Sequence, residues 1–451
     1  MNARDPVPLA RMIEAGPYQA YSYSYPHKSA YRPLAPGRSL HEAWATENRS
    51  ALFAYVHLPF CTMRCGFCNL FAMAQPQDDL VDRYLDGVVE QMRVMDDVLT
   101  DRRFARLALG GGTPSYLTAT QLARIYEAAQ RWLRIDLQAT PSGIEVSPET
   151  VTRDRLAVCR DAGVTRVSMG VQSFSAQETR ALARPQQNAV VTRAIEDIRR
   201  AGFAVMNLDL IYGIDGQGLS SWMASLDSAL AFTPEEIYLY PLYVRQQTGL
   251  GQLAIRQASR ANQPTDDERS HLYAAARARL LDAGYSQVSM RMFRAPHAPA
   301  DDGPVYCCQS DGMVGFGAGA RSYTSRLHYS SRYAVDRANT RRIVEAFAAA
   351  KSADFETAEY GFELDADEQR RRFVIQSLLT LPGLDHARYR KRFGRDVRDD
   401  LPQLSELLSL GLADDNDVWM SLNERGVSLA DVIGPWLASE RVNRLSRGIE
   451  C

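Results

Sequence analysis

Between residues 52 and 242 the chain repeats one pattern six times: a short apolar run, then a longer amphipathic stretch. The apolar runs read as strands at 53–58, 106–110, 143–147, 165–172, 204–212 and 236–242. The stretches between them have helical spacing, clearest at 78–99, 118–133, 148–161 and 219–231. Strand–helix units of this kind build a parallel sheet, because each helix returns the chain right-handed to the same edge. The expected fold class is α/β, a partial or complete parallel (β/α) barrel. No short repeat of solenoid type is present.

At 451 residues the chain exceeds one ordinary domain. Residues 1–50 are rich in Tyr and Pro, with no clean period, and read as an N-terminal extension whose aromatics wrap and anchor a core built elsewhere. Residues 51–350 hold the barrel with its extension: a helix after Asp266, a strand at 285–290 and a tight glycine-rich segment at 312–322. Residues 351–451 open on a helix at 365–379 and reach a strand–turn pattern at 418–426, as in a small winged-helix-like lid or docking domain. A formal net charge of −2 names no polyanionic partner, and acids stand beside the arginines of the last region, so no nucleic acid is expected. No cationic lead precedes an apolar core, and no run of about 18 apolar residues occurs, so neither a secretory signal nor a membrane span is expected. The expected location is the cytoplasm.

Seven cysteines are an odd count, and Cys61, Cys65 and Cys68 fall within eight residues. That spacing makes a poor disulfide framework and a good metal site. Three thiolates can wrap one 4Fe–4S cubane and leave one iron open to a substrate or cofactor, whereas a structural cluster or closed zinc site wants four ligands. The alternative is zinc with a distant fourth ligand, for which His57 is the nearby candidate. His57 reads better as a hydrogen-bonding neighbour. Cys159 reads as core and Cys451 as incidental. Cys307 and Cys308 are either buried small residues or groups serving a substrate.

In a parallel barrel the chemistry gathers at the C-terminal ends of the strands. Cys61 follows the first strand, Gly110, Gly111, Gly112 and Thr113 follow the second, Glu145 ends the third and Gln172 the fourth. Asp209 lies late in the fifth and Tyr240 late in the sixth. Glycines let backbone amides and carbonyls approach an amino-acid ligand, and carboxylates such as Glu145 and Asp209 suit ribose hydroxyls. Arg184, after the fourth strand, suits a carboxylate through its fork. Helix caps, ion pairs and surface exposure are the competing explanations for these residues.

The cysteine segment, with the aromatic Phe67 before its third cysteine, resembles the radical S-adenosylmethionine (SAM) signature. Tyr55, His57, Pro59 and Phe60 ahead of Cys61 make it similar to the oxygen-independent coproporphyrinogen III oxidase-like branch, which includes haem-trafficking proteins and class C radical methyltransferases. The resemblance spans roughly residues 18–440. It implies that Cys61, Cys65 and Cys68 hold a 4Fe–4S cluster, and that Gly110 to Thr113 meet the methionine part of SAM. Tyr55, Phe67, Glu145, Gln172, Arg184 and Asp209 are implied to complete the cofactor site. It further implies reductive cleavage of SAM to a 5′-deoxyadenosyl radical, with flavodoxin or ferredoxin as electron donor and a small-molecule substrate.

The chain departs from the oxidase in two places. The oxidase carries an extra cysteine two residues after its third ligand, where this chain has Leu70, and His27-Lys28 in the lead is not the oxidase pattern. Coproporphyrinogen III is therefore not the expected substrate. Three readings stay open. One is a coproporphyrinogen oxidase-like enzyme abstracting hydrogen from another small molecule. The second is a methyl- or methylene-transferase using a second SAM beside Gly112, Gln172 and Tyr240. The third is a haem-binding trafficking protein. An enzyme consumes SAM faster when its substrate is present; a carrier binds haem stoichiometrically and hands it on.

Overall fold

The computed structural model describes residues 7–257, 264–300 and 312–447. Six parallel strands form its centre: β1 (Leu52–Leu58), β2 (Phe104–Gly111), β3 (Ser142–Val146), β4 (Arg166–Gln172), β5 (Val205–Tyr212) and β6 (Glu236–Pro241), paired in that order. Helices α1 (Asp78–Val98), α2 (Ala119–Leu133), α3 (Arg153–Asp161), α4 (Asn188–Ala201) and α5 (Leu219–Leu230) return the chain between them.

The helices form because their apolar residues recur on one face. In α1 these are Leu80, Val81, Tyr84, Leu85, Val88, Met92 and Met95, all buried, while Asp78 and Asp79 favour the N-terminal end of its dipole. In α2 a Thr118–Gln121 capping box sets the start. The expected helix at 148–161 is divided: Pro148–Thr150 is a 3₁₀ turn closed by Ser147 and Thr150, and α3 begins only at Arg153.

In β1, Ala54, Val56 and Leu58 lie fully buried on one face, and Tyr55 and His57 occupy the other. Register carries that inner face from strand to strand: His57 opposite Gly110, Glu145 opposite Ser168, Ser168 opposite Asn207, and Gly170 opposite Asp209, itself opposite Tyr238. Polar side chains spread through the sequence thus reach one concave surface.

The expected strand at 285–290 is instead a hairpin of Ser286–Gln287 with β7 (Met292–Arg294), and β7 runs antiparallel to β6. The glycine-rich segment 312–322 hides a seventh parallel strand, β8 (Met313–Phe316), alongside β1. It turns into β9 (Arg321–Tyr323) so tightly that a Cβ on Gly315 would lie 2.3 Å from the Arg321 carbonyl oxygen. β10 (Leu327–Ser330), β11 (Thr357–Glu363) and the N-terminal strand Arg32–Ser39 extend that edge antiparallel.

The barrel is partial: among the described residues the sheet does not close on itself. Its open side is covered by the lead and by the C-terminal helices. Tyr25 Oη donates to Glu368, Arg372 donates to the Tyr25 carbonyl at 2.6 Å, and Arg291 pairs with Asp431 at 2.5 Å. The C-terminal part joins the helix Ala366–Leu378 to a small antiparallel sheet of Leu384–Asp385, Trp419–Leu422 and Ala413–Asp415. Among the described residues no helix is long and apolar enough to cross a membrane.

Candidate active site

Cys61 closes a two-residue strand whose partner, Met73–Ala74, lies beyond the other two cysteines, so the intervening chain is a closed loop. The loop is pinned at its middle: Gly66 N–H donates to the Leu182 carbonyl at 3.0 Å, and Leu250 N–H donates to the Gly66 carbonyl at 2.8 Å. Its end is pinned by His57, whose Nε2 lies 2.9 Å from the Phe71 carbonyl oxygen. A carbonyl only accepts, so Nε2 carries the proton and Nδ1 is left to accept from Tyr55 Oη at 3.4 Å. Burial holds His57 down at about 4, so it stays neutral at pH 7. Both ring nitrogens are engaged, and His57 is a brace for the cysteine loop.

The glycine turn after β2 is tied to the same loop. Gly112 N–H donates to the Leu58 carbonyl at 2.9 Å, and Thr113 N–H to the Phe60 carbonyl at 2.8 Å. Gly111 has φ +114°, and a Cβ there would lie 2.6 Å from His57 Cε1. Only glycine fits between the loop brace and Glu145, whose Oε2 accepts the Gly111 N–H at 3.0 Å. A Cβ on Gly110 would meet Tyr55 Oη at 2.9 Å and the Glu145 carboxyl carbon at 3.1 Å.

The thiols stand near one another. Burial, with the neighbouring Cys68 and Cys65 sulfurs, pushes Cys61 up to about 12; burial likewise raises Cys68. Thr113 Oγ1 donates to Cys61 Sγ at 3.5 Å. Arg184 reaches in from the segment after β4, where Nη1 donates to Cys65 Sγ at 3.3 Å and Nη2 to the Gly170 carbonyl at 2.8 Å, while among the described residues its buried Nε has no partner. Phe67 packs with Leu182, Ile211, Ile214 and Leu242 as an apolar wall beside the loop.

Across the concave face stand Glu145 and Asp209. Asp209 Oδ1 accepts from Asn207 Nδ2 at 2.7 Å. Burial raises each carboxyl to about 6. Both nonetheless keep accessible surface, as do Tyr238, Tyr240 and Arg166, so the inner face lines a chamber open to small molecules. Gln172 is buried with φ +69° at the bulged end of β4. The structure therefore brings together Tyr55, Cys61, Cys65, Phe67, Cys68, Gly110 to Thr113, Glu145, Gln172, Arg184 and Asp209. Cys159 lies elsewhere, beneath Tyr126 Oη at 3.9 Å, and Cys307, Cys308 and Cys451 lie outside the described residues. Sequence reasoning passed over Asn207 and the Arg166–Glu236 pair (2.8 Å), which share the inner face with Asp209. Their alternation along β4, β5 and β6 was the available signal.

The two carboxyls give a pH prediction. Their ordinary values are 4.5 for Glu145 and 3.8 for Asp209, and each is raised to about 6 in the fold. Between those limits the folded chain binds more protons than the unfolded one. The contribution to stability is therefore complete below pH 4 and is lost as pH rises through 6. Asp209→Asn is expected to raise the ligand-free melting midpoint at pH 7 by a few degrees and to flatten its fall between pH 4 and 7, and Glu145→Gln, at a solvent-exposed side chain, to do so by less. Melting curves across that range check this; unchanged slopes contradict it.

The radical SAM superfamily model matches residues 55–229, and the HemN C-terminal domain model matches residues 364–429. The haem chaperone HemW of Bacillus subtilis is 25% identical over 395 residues, covering 85% of this chain and 98% of that protein. The oxygen-independent coproporphyrinogen III oxidase of Escherichia coli is 27% identical over 430 residues, covering 90% and 91%. The solved structure of coproporphyrinogen III oxidase (HemN) from Escherichia coli, a radical SAM enzyme, superposes with a TM-score of 0.78 at 23% identity, over 96% of this chain and 99% of that one. Residues 55–229 thus match the radical SAM superfamily, and the structure shares the fold of that solved relative. The C-terminal domain match and the near full-length matches make the chain similar to the coproporphyrinogen III oxidases and haem chaperones.

The cofactors of this superfamily are a 4Fe–4S cluster and SAM, and the residues present fit both. Buried thiols that resist ionisation side by side require a strongly cationic ligand to become thiolates. The glycine turn leaves backbone bare where a Cβ would intrude, and the unpartnered Arg184 Nε is a buried donor awaiting an acceptor.

Proposed function

We propose that this radical SAM enzyme cleaves SAM reductively and abstracts hydrogen from a small molecule held in the chamber. The observation that carries the reading is the meeting of three cysteines, a glycine turn, an arginine and two raised carboxyls at the C-terminal ends of consecutive parallel strands. Cys61, Cys65 and Cys68 would hold three corners of the cluster and leave the fourth iron open. When bound, the cluster would pass one electron from an external reductant to the sulfonium of SAM, and SAM would supply methionine and a hydrogen-abstracting 5′-deoxyadenosyl group.

The remaining roles fall to the chain's own groups. Gly110, Gly111, Gly112 and Thr113 present bare backbone to the methionine end. Arg184, held against Cys65 and the Gly170 carbonyl, offers its guanidinium to the carboxylate, with Gln172 beside it. Asp209, and the Glu145 oxygen not used by Gly111, accept from ribose hydroxyls; raised to about 6, both carboxyls are mostly ionised at pH 7 and ready to accept. Tyr55 and Phe67 fill the flanks and exclude water. On the outer side of the cysteine loop, Arg64, Arg337 and Arg341 line a cleft of about 270 Å³ with Met73, Gln75 and Gln77. An acidic carrier such as flavodoxin or ferredoxin suits that side as electron donor, in a reducing cytoplasm.

The substrate of this reading is not coproporphyrinogen III. Leu70, which stands where the oxidase has its extra cysteine, is 48% exposed. A strain lacking its anaerobic coproporphyrinogen oxidase is expected to stay unrescued by this chain, and growth of that strain would refute the exclusion. Methyl transfer with a second SAM is the next reading, favoured by the room beside Tyr240, which keeps accessible surface next to Asp209. Haem carriage follows from the chaperone relatives alone.

A further inference from the structure

The lead and β9 meet at a cation that the reaction above does not use. Arg321 opens β9 two residues before Tyr323, which packs with Phe53 and Met313 on the inner face, so period-two alternation aims Arg321 into the chamber. Its guanidinium lies 4.9 Å from the Tyr23 ring centre, and Nη1 donates to Tyr23 Oη at 3.1 Å and Ser24 Oγ at 3.3 Å. These partners are neutral. Two other deep arginines are matched by acids, Arg166 by Glu236 at 2.8 Å and Arg291 by Asp431 at 2.5 Å. Among the described residues no carboxylate pairs with Arg321, and its Nε and Nη2 donate no hydrogen bond. A deep cation without an anion is costly. Arg321 nonetheless keeps accessible surface, so its unused donors face open chamber rather than packed protein.

The surroundings say what shape of anion fits. Tyr23, Tyr21 and Tyr240 follow one another from Arg321 across the chamber, with ring centres 5.2 Å and then 6.4 Å apart. The residues of the lead do not share one role: Tyr25 and Tyr31 are buried anchors, but Tyr21 is 38% exposed. Lys28, over the Tyr333 ring at 3.1 Å, adds positive charge on the side that carries His57, which both Lys28 and Arg321 push down. Arg291 covers one face of Tyr21 at 3.7 Å from the ring centre, and the ring still keeps its exposed surface. A fork-shaped donor beside such a row of rings matches a carboxylate on a flat ring system.

We propose that Arg321, with Tyr21 and Tyr23, forms a site for the carboxylate of a ring-bearing small molecule. The proposal rests on reading the chamber as the SAM-dependent active site, and it names the class of molecule admitted there. The carboxylate is either the substrate's or that of a second SAM.

The test uses benzoate and its neutral isostere benzamide on cluster-loaded protein, followed by melting midpoint and by equilibrium titration. Wild type is expected to bind benzoate at least about tenfold more tightly than benzamide, the scale of one charge-assisted contact. Arg321→Met is expected to erase that preference, and Arg321→Lys to keep part of it. Equal binding of the two probes by wild type overturns the proposal without recourse to any variant, and so does a benzoate preference that survives in Arg321→Met. The source is read from bound SAM. Two molecules in wild type falling to one in Arg321→Met assigns the carboxylate to a second SAM, and an unchanged count assigns it to the substrate. Iron content and 5′-deoxyadenosine release in wild type test the proposed reaction separately, because neither passes through Arg321.

Discussion

Cys65→Ala protein, reconstituted anaerobically, is expected to fall from about four irons per chain to fewer than about one and to lose its cluster absorption. Cys65 is buried, its sulfur is held by Arg184 at 3.3 Å, and the loop around it is fixed through Gly66 to Leu182 and Leu250. Among the described residues no neighbour stands free to replace it. His57 spends one ring nitrogen on the Phe71 carbonyl and the other on Tyr55. Cys61→Ala and Cys68→Ala should behave alike, whereas Cys159→Ala should load normally, since its sulfur lies beneath Tyr126. Iron and sulfide analysis decides the matter. A cluster retained in Cys65→Ala would remove that residue from the ligand set.

Arg184→Met carries the second large effect, of a different kind. The cluster should load, because a thiolate set does not need the arginine, but SAM should bind about ten- to a hundredfold more weakly, as expected for loss of a charge-assisted contact to a carboxylate. Arg184→Lys should recover little of this, since one ammonium cannot meet Cys65, the Gly170 carbonyl and a carboxylate together. Equilibrium binding on cluster-loaded protein measures it. Normal SAM affinity in Arg184→Met would leave Arg184 as a brace for the cysteine loop alone.

The parts of this molecule legible in its sequence are those governed by local pattern. Period-two runs at β1 to β6 and period-3.6 runs at α1 and α2 were readable because one face of each packs against its neighbours. The strand-end positions of Glu145, Gln172 and Asp209 followed once the strands were placed. What local pattern could not carry was closure. β8 is four residues long, and its pairing with β1 joins Met313 to Phe53 across most of the barrel, a contact set by the whole fold. The Tyr-rich lead had no period to read, because its residues answer to different partners: Tyr25 to Glu368, Tyr23 to Arg321, Tyr18 to the Tyr212 ring. The role of His57 was half legible. Its place beside the cysteines was visible, but the hydrogen bond to Phe71 that makes it a brace spans 14 residues of looped chain.

The central claim is that these residues together support reductive cleavage of SAM. The direct measurement is product release by cluster-loaded wild type, reduced anaerobically and given SAM alone. The account predicts slow, equimolar appearance of 5′-deoxyadenosine and methionine, absent without reductant and absent in Cys65→Ala. A wild-type preparation that holds its cluster and binds SAM, yet releases neither product on reduction, would contradict it.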